Sequence, residues 1–130
     1  MILVVERNPA VQRLEKFFLE QAGYVVEFVA DGITALERAR DLRPQIVVTE
    51  ILVPRLDGLS LCRTLKTDPE TRSTVVLVFS HLHAEDRALE AGADAFIVKP
   101  MDEERLIETV SKLLEIQGNG EEDKAWQSND

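Results

Sequence analysis

The sequence predicts an α/β fold in which five parallel strands form one doubly wound sheet. Short β-branched apolar runs alternate along the chain with amphipathic stretches whose apolar residues recur at helical spacing, which is the pattern of repeated βα units. The chain has 130 residues, of which 45% are hydrophobic, and this suits a single domain with its own core. We therefore expect one domain over residues 1–117, followed by a tail.

The first βα unit is marked by capping residues. A strand over residues 2–5 is followed by Asn8 and Pro9, which predict a helix over residues 9–22 that ends at Gly23. The predicted apolar face of this helix consists of Val11, Leu14, Phe17 and Phe18. We expect this face to pack against the sheet.

The second and third units follow the same pattern. A strand over residues 24–29 precedes Asp31, the predicted N-cap of a second helix. The third strand ends at Glu50, and Asp57 and Gly58 mark the loop and the start of a third helix. The buried stripe of this helix consists of Leu59, Leu61, Cys62 and Leu65. The single cysteine lies in that stripe, so we expect a buried core thiol and no internal disulfide.

The last two units complete the predicted sheet. The fourth strand covers residues 74–79 and precedes a short helix over residues 84–91. The fifth strand covers residues 95–98, and Asp102 is the predicted N-cap of a final helix over residues 103–116. No internal repeat is visible beyond this βα alternation.

Composition excludes several function classes and predicts the character of the tail. Residues 118–130 are polar with one aromatic, which predicts a disordered C-terminal tail. The net charge is −9 and no basic run is present, so we expect no nucleic-acid partner. No apolar run approaches the roughly 20 residues that span a bilayer, so we expect a cytoplasmic protein without a membrane partner.

Polar side chains follow four of the predicted strands. Glu6 and Arg7 follow the first strand, Glu50 the third, Ser80 the fourth and Lys99 the fifth. In a doubly wound sheet, ligand-binding and catalytic groups gather outside the carboxyl ends of the strands. These five residues therefore form the predicted site, in which Lys99 needs Glu6 or Glu50 as a carboxylate partner.

These residues and their flanks resemble one family, the receiver domain of two-component response regulators. Residues 2–7 match the acid-pair strand, and residues 46–50 with Pro54 and Asp57-Gly58 match the phosphoacceptor strand and loop. The other matches are Ser80 for the switch hydroxyl, residues 91–94 before the last strand, Phe96 for the switch aromatic, and the Lys99-Pro100 pair. The peptide bond of that last pair is commonly cis in the family. The resemblance covers residues 1–117 in uninterrupted order. It implies a flavodoxin-like (βα)5 sandwich with strand order 2-1-3-4-5, and a bacterial source.

The resemblance also implies a chemistry that two residues here contradict. In a receiver, an aspartate takes a phosphoryl group, two further acids hold Mg2+, and a lysine and a hydroxyl sense the new charge. The acceptor position holds Glu50, whose carboxylate lies one methylene further out, and the second acid position holds Arg7. We therefore expect Mg2+ binding to be weak or absent, and no other metal or cofactor.

These departures predict a signalling module that is not an enzyme. We expect Glu50, held by Arg7 and Lys99, to imitate the phosphorylated state, so that the domain acts by protein-protein interaction with a sensor kinase or a downstream effector. Two alternatives remain open. The first is a conventional phosphoacceptor domain, using Glu50 or Glu6, that is phosphorylated by a histidine kinase. The second is an assembly subunit whose pocket is inert, in which the charged pair is only a salt bridge.

The segment around the fourth helix differs from the family pattern. His81 follows Ser80 where the family generally has a small residue, so we expect its imidazole to crowd the pocket mouth. His81 and His83 alone do not complete a metal site, and we interpret both as exposed loop residues. Residues 80–92 are about three fewer than in most receivers, nearly one helical turn. The altered surface predicts a changed partner contact or a homodimer through the face formed by helix 4, strand 5 and helix 5.

Overall fold

Strands and helices alternate along the whole described chain. The computed structural model describes the backbone of residues 1–100 and 103–129, and the side chains of residues 1–100 and 103–116. The elements are β1 (Ile2–Val5), α1 (Pro9–Gln21), β2 (Val26–Val29), α2 (Gly32–Leu42), β3 (Ile46–Thr49), α3 (Gly58–Thr67), β4 (Val75–Ser80), α4 (Glu85–Glu90), β5 (Ala95–Val98) and α5 (Glu103–Asn129). The predicted N-cap Asp102 lies outside the described residues.

The five strands form one parallel sheet in the order β2-β1-β3-β4-β5. Ile2 at the start of β1 is in register with Val26 on one side and Ile46 on the other, and Ser80 at the end of β4 is in register with Val98. The sequence prediction of a flavodoxin-like sheet is therefore confirmed. The strand order reverses beside β1, so β1 and β3 border the switch point where such folds place their sites.

Alternate strand residues supply two cores, one on each face of the sheet. Leu3 and Val5 belong to the core covered by α2, α3 and α4, whereas Ile2 and Val4 belong to the core covered by α1 and α5. Successive side chains of a strand point to opposite faces, and helices on both faces bury every residue of the central strands β1 and β3. Cys62 lies in the first core, fully buried, and burial raises the pKa of its thiol to about 11. The predicted buried thiol is confirmed.

The predicted N-caps form where the sequence placed them. Asn8 Oδ1 accepts a hydrogen bond of 2.9 Å from the Ala10 N–H, and Asp31 Oδ1 accepts one of 2.8 Å from the Thr34 N–H. Each cap satisfies a donor that the first turn of a helix leaves without an intrahelical partner. These caps fix the starts of α1 and α2 relative to the strands before them.

The apolar face predicted for α1 is right only in part, since Val11 and Phe18 are partly buried but Leu14 and Phe17 are exposed. Leu14 and Phe17 are 48% and 58% exposed, whereas Glu15 and Leu19 are buried at 5% and 0%. Val11, Glu15 and Leu19 follow an i, i+4, i+8 spacing, so they share one side of the helix. Burial disfavours the carboxylate of Glu15, and Lys99 Nζ, 3.9 Å away, offsets that cost only in part. No local pattern reveals this contact.

The boundaries of the last two helices differ from the prediction. α4 has six residues where eight were predicted, and α5 continues to Asn129 rather than ending near Ile116. Most residues after Ile116 are compatible with a helix, and the two glycines there cost only about 1 kcal/mol each in a helix interior. The predicted end of α5 is therefore corrected. The prediction that residues 118–130 form a disordered tail outside the domain is not tested and stays a prediction.

Candidate functional site

The carboxyl ends of the strands bring four of the predicted residues together. Glu6, Glu50 and Ser80 are buried at 5%, 5% and 0% exposure, and the Lys99 side chain is 17% exposed. Gly58 lets the start of α3, and with it the loop that precedes the helix, approach the end of β3 closely, because a Cβ at this position would clash with the Glu50 carbonyl oxygen. The loop thus covers the backbone of Glu50.

Glu50 is the centre of the hydrogen-bond network. Its Oε1 accepts hydrogen bonds from the Ile51 N–H at 2.7 Å and from the Ser80 hydroxyl. Its Oε2 lies 3.4 Å from Lys99 Nζ and 3.2 Å from His81 Nδ1. Burial raises the pKa of Glu50, but the hydrogen bonds and the charge of Lys99 together outweigh it, so the pKa lies below its usual value. Glu50 is therefore held as a carboxylate.

Lys99 joins the carboxylates of the site. Its Nζ lies 2.6 Å from Glu6 Oε1 and 3.4 Å from Glu50 Oε2, and it also lies 4.9 Å from the centroid of the Phe79 ring. Burial lowers the pKa of Lys99, but its acidic neighbours raise it further, so the pKa lies above its usual value. The ammonium is therefore charged and takes both carboxylate partners that the sequence predicted.

Glu15 is a member of the site that the sequence analysis missed. Its Oε1 lies 3.9 Å from Lys99 Nζ, beyond hydrogen-bond distance. Burial, opposed by Lys99 and assisted by Glu6 and Glu50, raises the pKa of Glu15 to about 7. Its spacing from Val11 and Leu19 was the available signal, but an acid at a buried helix position is unusual without a known partner.

Arg7 does not take the position that the sequence predicted. Its side chain is exposed, and the ion pairs among the described residues include none between Arg7 and Glu50. Lys99 Nζ lies 2.6 Å from Glu6 Oε1 and 3.4 Å from Glu50 Oε2, so Glu50 already has a buried cationic neighbour. The predicted Glu50–Arg7 pair is therefore wrong, and His81 takes part instead.

Comparison with known proteins identifies the family. A family model described as the response regulator receiver domain matches residues 2–111. The chain belongs to the response regulator receiver domain family. Among curated relatives of this receiver domain, the DNA-binding dual master transcriptional regulator RpaA of Synechocystis is 33% identical over 116 residues, which cover 87% of this chain and 48% of that protein. The chain thus spans about half the length of that relative.

Another relative is similar to this receiver domain over nearly its full length. The polar-differentiation response regulator DivK of Brucella anthropi is 32% identical over 87% of this chain and 94% of its own length. Among solved structures, the receiver domain of a signal transduction histidine kinase from Syntrophus aciditrophicus has a TM-score of 0.82 and 37% identity, covering 88% of this chain and 89% of its own. A response regulator and the receiver domain of a histidine kinase are therefore both similar to this chain.

The carboxylate oxygens of Glu6 and Glu50 in this receiver domain all face donors of the protein itself. Glu6 Oε1 is engaged by Lys99, and Glu6 Oε2 accepts a hydrogen bond of 3.1 Å from the Asn8 N–H. Both Glu50 oxygens face hydrogen-bond donors, and the side chain of Arg7 is exposed. Mg2+ requires several oxygen ligands in near-octahedral geometry. Within the described residues, no cluster of three or more acidic, histidine or cysteine side chains is arranged to hold a metal ion.

The remaining predicted residues lie around the short helix α4. Phe96 on β5 is partly buried and lines a cavity of about 780 Å³ together with His83 and Arg105. His81 and His83 are exposed, as predicted. At the end of β5, the peptide bond between Lys99 and Pro100 is cis. No helix in the described part of the chain combines the length and apolar character needed to cross a membrane.

Proposed function

We propose that this receiver domain signals through contact with another protein, without phosphoryl transfer, and that Glu50 replaces the phosphorylated acceptor. The proposal is carried by the position of the Glu50 carboxylate. It accepts a hydrogen bond from the Ser80 hydroxyl and lies 3.4 Å from Lys99 Nζ. Ser80 and Lys99 are the hydroxyl and the lysine that match the family's sensing residues. Glu50 thus already interacts with both residues in the unmodified protein.

The position of the carboxylate supports loss of phosphoryl transfer. Phosphoryl transfer depends almost entirely on positioning, and an error of about 1 Å can cost on the order of a hundredfold in rate. The oxygens of Glu50 are buried against Ile51, Ser80 and Lys99, with His81 at the exposed side. An incoming phosphoryl donor would have to displace these groups.

The acid-pair position supports independence from Mg2+. The receiver domain of sensor histidine kinase PA1611 from Pseudomonas aeruginosa, 28% identical to this chain, has a magnesium ion coordinated in its active-site cleft. In the present chain the second acid is replaced by Arg7, and the remaining acid, Glu6, is paired with Lys99 at 2.6 Å. The proposal therefore rests on the missing carboxylate, and not on a guanidinium inside the site.

The partner that we propose is a sensor kinase or a downstream effector. Several relatives are transcriptional or response regulators about twice as long as this chain, whereas DivK is of similar length. Such relatives support a protein partner in a bacterial cytoplasm. The cavity beside the six-residue α4 and β5 supports a remodelled contact or a homodimer through the α4, β5 and α5 face.

The first test is incubation with acetyl phosphate and Mg2+, followed by intact-protein mass measurement. The native chain is compared with the Arg7→Asp, Glu50→Asp double variant, and with Arg7→Asp alone as the control that restores only the metal ligand. We expect labelling of the double variant and none of the native chain. Mg2+-dependent labelling of the native chain would overturn the proposal and establish the conventional phosphoacceptor alternative.

A further inference from the structure

A second pocket lies beside the site, between α1 and the start of α5. Its volume is about 290 Å³, near the lower end of the range for small-molecule sites. Among the described residues its apolar lining consists of Val11, Leu14, Phe79, Pro100 and Leu106. Glu50 and Ser80 are not among the lining residues, so the pocket lies beside the network around Glu50 and shares Lys99 and Glu15 with that site.

Acidic groups border this apolar pocket. Glu15 and Glu103 line it from the two helices, and Lys99 lines it from the end of β5. The nearest partners of Lys99 are Glu6 and Glu50, at 2.6 and 3.4 Å, rather than Glu15 at 3.9 Å. When all these acids are ionised, the carboxylates outnumber the single ammonium. The region therefore favours an additional cation.

Glu15 carries a carboxyl group without a hydrogen-bond partner among the described residues. It is only 5% exposed, and its one ionic neighbour is beyond hydrogen-bond distance. Buried polar groups normally have such partners, and a carboxylate can accept several hydrogen bonds. A polar group that is more than nine-tenths buried and lines an apolar pocket is an anchor for a ligand's polar end.

We propose that the pocket between α1 and α5 binds a small hydrophobic amine, whose ammonium donates hydrogen bonds to Glu15 while its apolar part fills the space between Val11, Leu14 and Leu106. The Phe79 ring at the pocket's inner wall already lies 4.9 Å from Lys99 Nζ, so it tolerates a cation nearby. An anionic ligand would face Glu15 and Glu103, and a neutral one would leave the Glu15 carboxylate without a partner.

The test is a titration of 2-phenylethylamine into methyl-labelled protein at slightly alkaline pH, read by NMR. We expect saturable shifts in the methyl signals of Val11, Leu14 and Leu106, with Leu61 in the opposite core unchanged. The neutral analogue 2-phenylethanol and the anionic analogue 3-phenylpropionate serve as ligand controls. Each should bind at least about tenfold more weakly, a difference of about 1.4 kcal/mol.

Two variants test the role of the carboxyl. Glu15→Gln should weaken the amine at least about tenfold and leave the weak binding of 2-phenylethanol unchanged. Glu20→Gln changes an exposed acid on the same helix. It should leave the binding of both 2-phenylethylamine and 2-phenylethanol unchanged. The proposal fails if no methyl shift saturates, if the alcohol binds as well as the amine, or if Glu20→Gln weakens the amine as much as Glu15→Gln does. Its failure leaves the proposed function of Glu50 untouched, because that test uses no amine.

Discussion

The buried carboxylate of Glu50 accepts hydrogen bonds from Ser80 and Ile51 and lies within 3.4 Å of Lys99. Such a group stabilises the fold only while it is ionised, and its donors need it as an acceptor. Arg7, two positions before the start of α1, has an exposed side chain. Glu50 and Arg7 therefore contribute to the proposed function by different physical means.

We predict that Glu50→Gln lowers the free energy of unfolding by about 1–3 kcal/mol at neutral pH, because it removes a charged acceptor from buried donors. Arg7→Gln should change that free energy by less than about 0.5 kcal/mol. Urea unfolding of both variants is the measurement. Equal losses in the two variants would mean that Arg7 takes part in the buried network after all.

The pKa of Glu50 gives this stabilisation a pH dependence. Because the pKa is lower in the folded state, the contribution is complete above the unfolded-state value of 4.5 and is lost as the pH falls through the folded-state value. The stability difference between the native chain and Glu50→Gln should therefore shrink under acidic conditions. A difference that stays constant as the pH falls below 4.5 would contradict this assignment.

Glu15 should have the opposite pH dependence. Its pKa rises from 4.5 to about 7 on folding, so between these values the folded state holds more protons and stability falls as the pH rises. The shift corresponds to roughly 3 kcal/mol. The ionisable groups that face Glu15 are Glu6, Glu50, Lys99 and Glu103, and Lys99 already opposes the shift.

We predict that Glu15→Gln stabilises the protein above pH 7 by up to roughly 3 kcal/mol and flattens the fall in stability between the two pKa values. Urea unfolding across this pH range measures it, with Glu20→Gln as the matched control on an exposed position of α1. If Glu20→Gln has the same effect, the net charge of the protein is responsible rather than the burial of Glu15.

At the scale of elements, the sequence predicted where α1 begins but not how the helix is rotated about its own axis. Its cap and its length follow from local residues, and the predicted start at Pro9 agrees with the structure. Its rotation is set by contacts with β2 and α5, and in this orientation Leu19 is fully buried and Phe17 is 58% exposed. The Phe17 and Phe18 rings contact each other edge to face, with centroids 5.1 Å apart, so part of the apolar surface of α1 is satisfied outside the core.

We predict that Leu19→Ala lowers the free energy of unfolding by about 2–5 kcal/mol, whereas Leu14→Ala lowers it by about 1 kcal/mol or less. Both remove the same atoms from the same helix, so they form a matched pair. Urea unfolding distinguishes the orientation in the structure from the one predicted by the sequence, for which Leu14→Ala would be the costlier change.

At the scale of the whole molecule, the proposed function predicts that the stability of the fold does not depend on Mg2+. A ligand that binds only the folded state raises stability by about 2.7 kcal/mol at a concentration one hundred times its dissociation constant. We predict no rise in the melting temperature of the native chain with millimolar Mg2+, and a clear rise for the Arg7→Asp, Glu50→Asp double variant. A Mg2+-dependent rise in the native chain would contradict the proposed independence from metal.

The sequence by itself determined the five βα units, the helix caps and the set of residues at the strand ends. These depend on local signals, since hydrophobic period, capping residues and strand termini are all readable over a few neighbouring positions. Parallel strands necessarily bring their carboxyl ends to one edge, which is why Glu6, Glu50, Ser80 and Lys99 were predicted to meet.

Only the tertiary structure decided which partners these residues take. His81 contacts Glu50, and Glu15 is buried beside Lys99, although these partners are far apart in the chain. Arg7, in contrast, has an exposed side chain. These arrangements depend on the rotation of α1 and on the position of Lys99 at the end of β5, where it lies near the carboxylates of Glu6, Glu50 and Glu15. The pocket between α1 and α5 exists for the same reason, because helix packing rather than local sequence sets its walls.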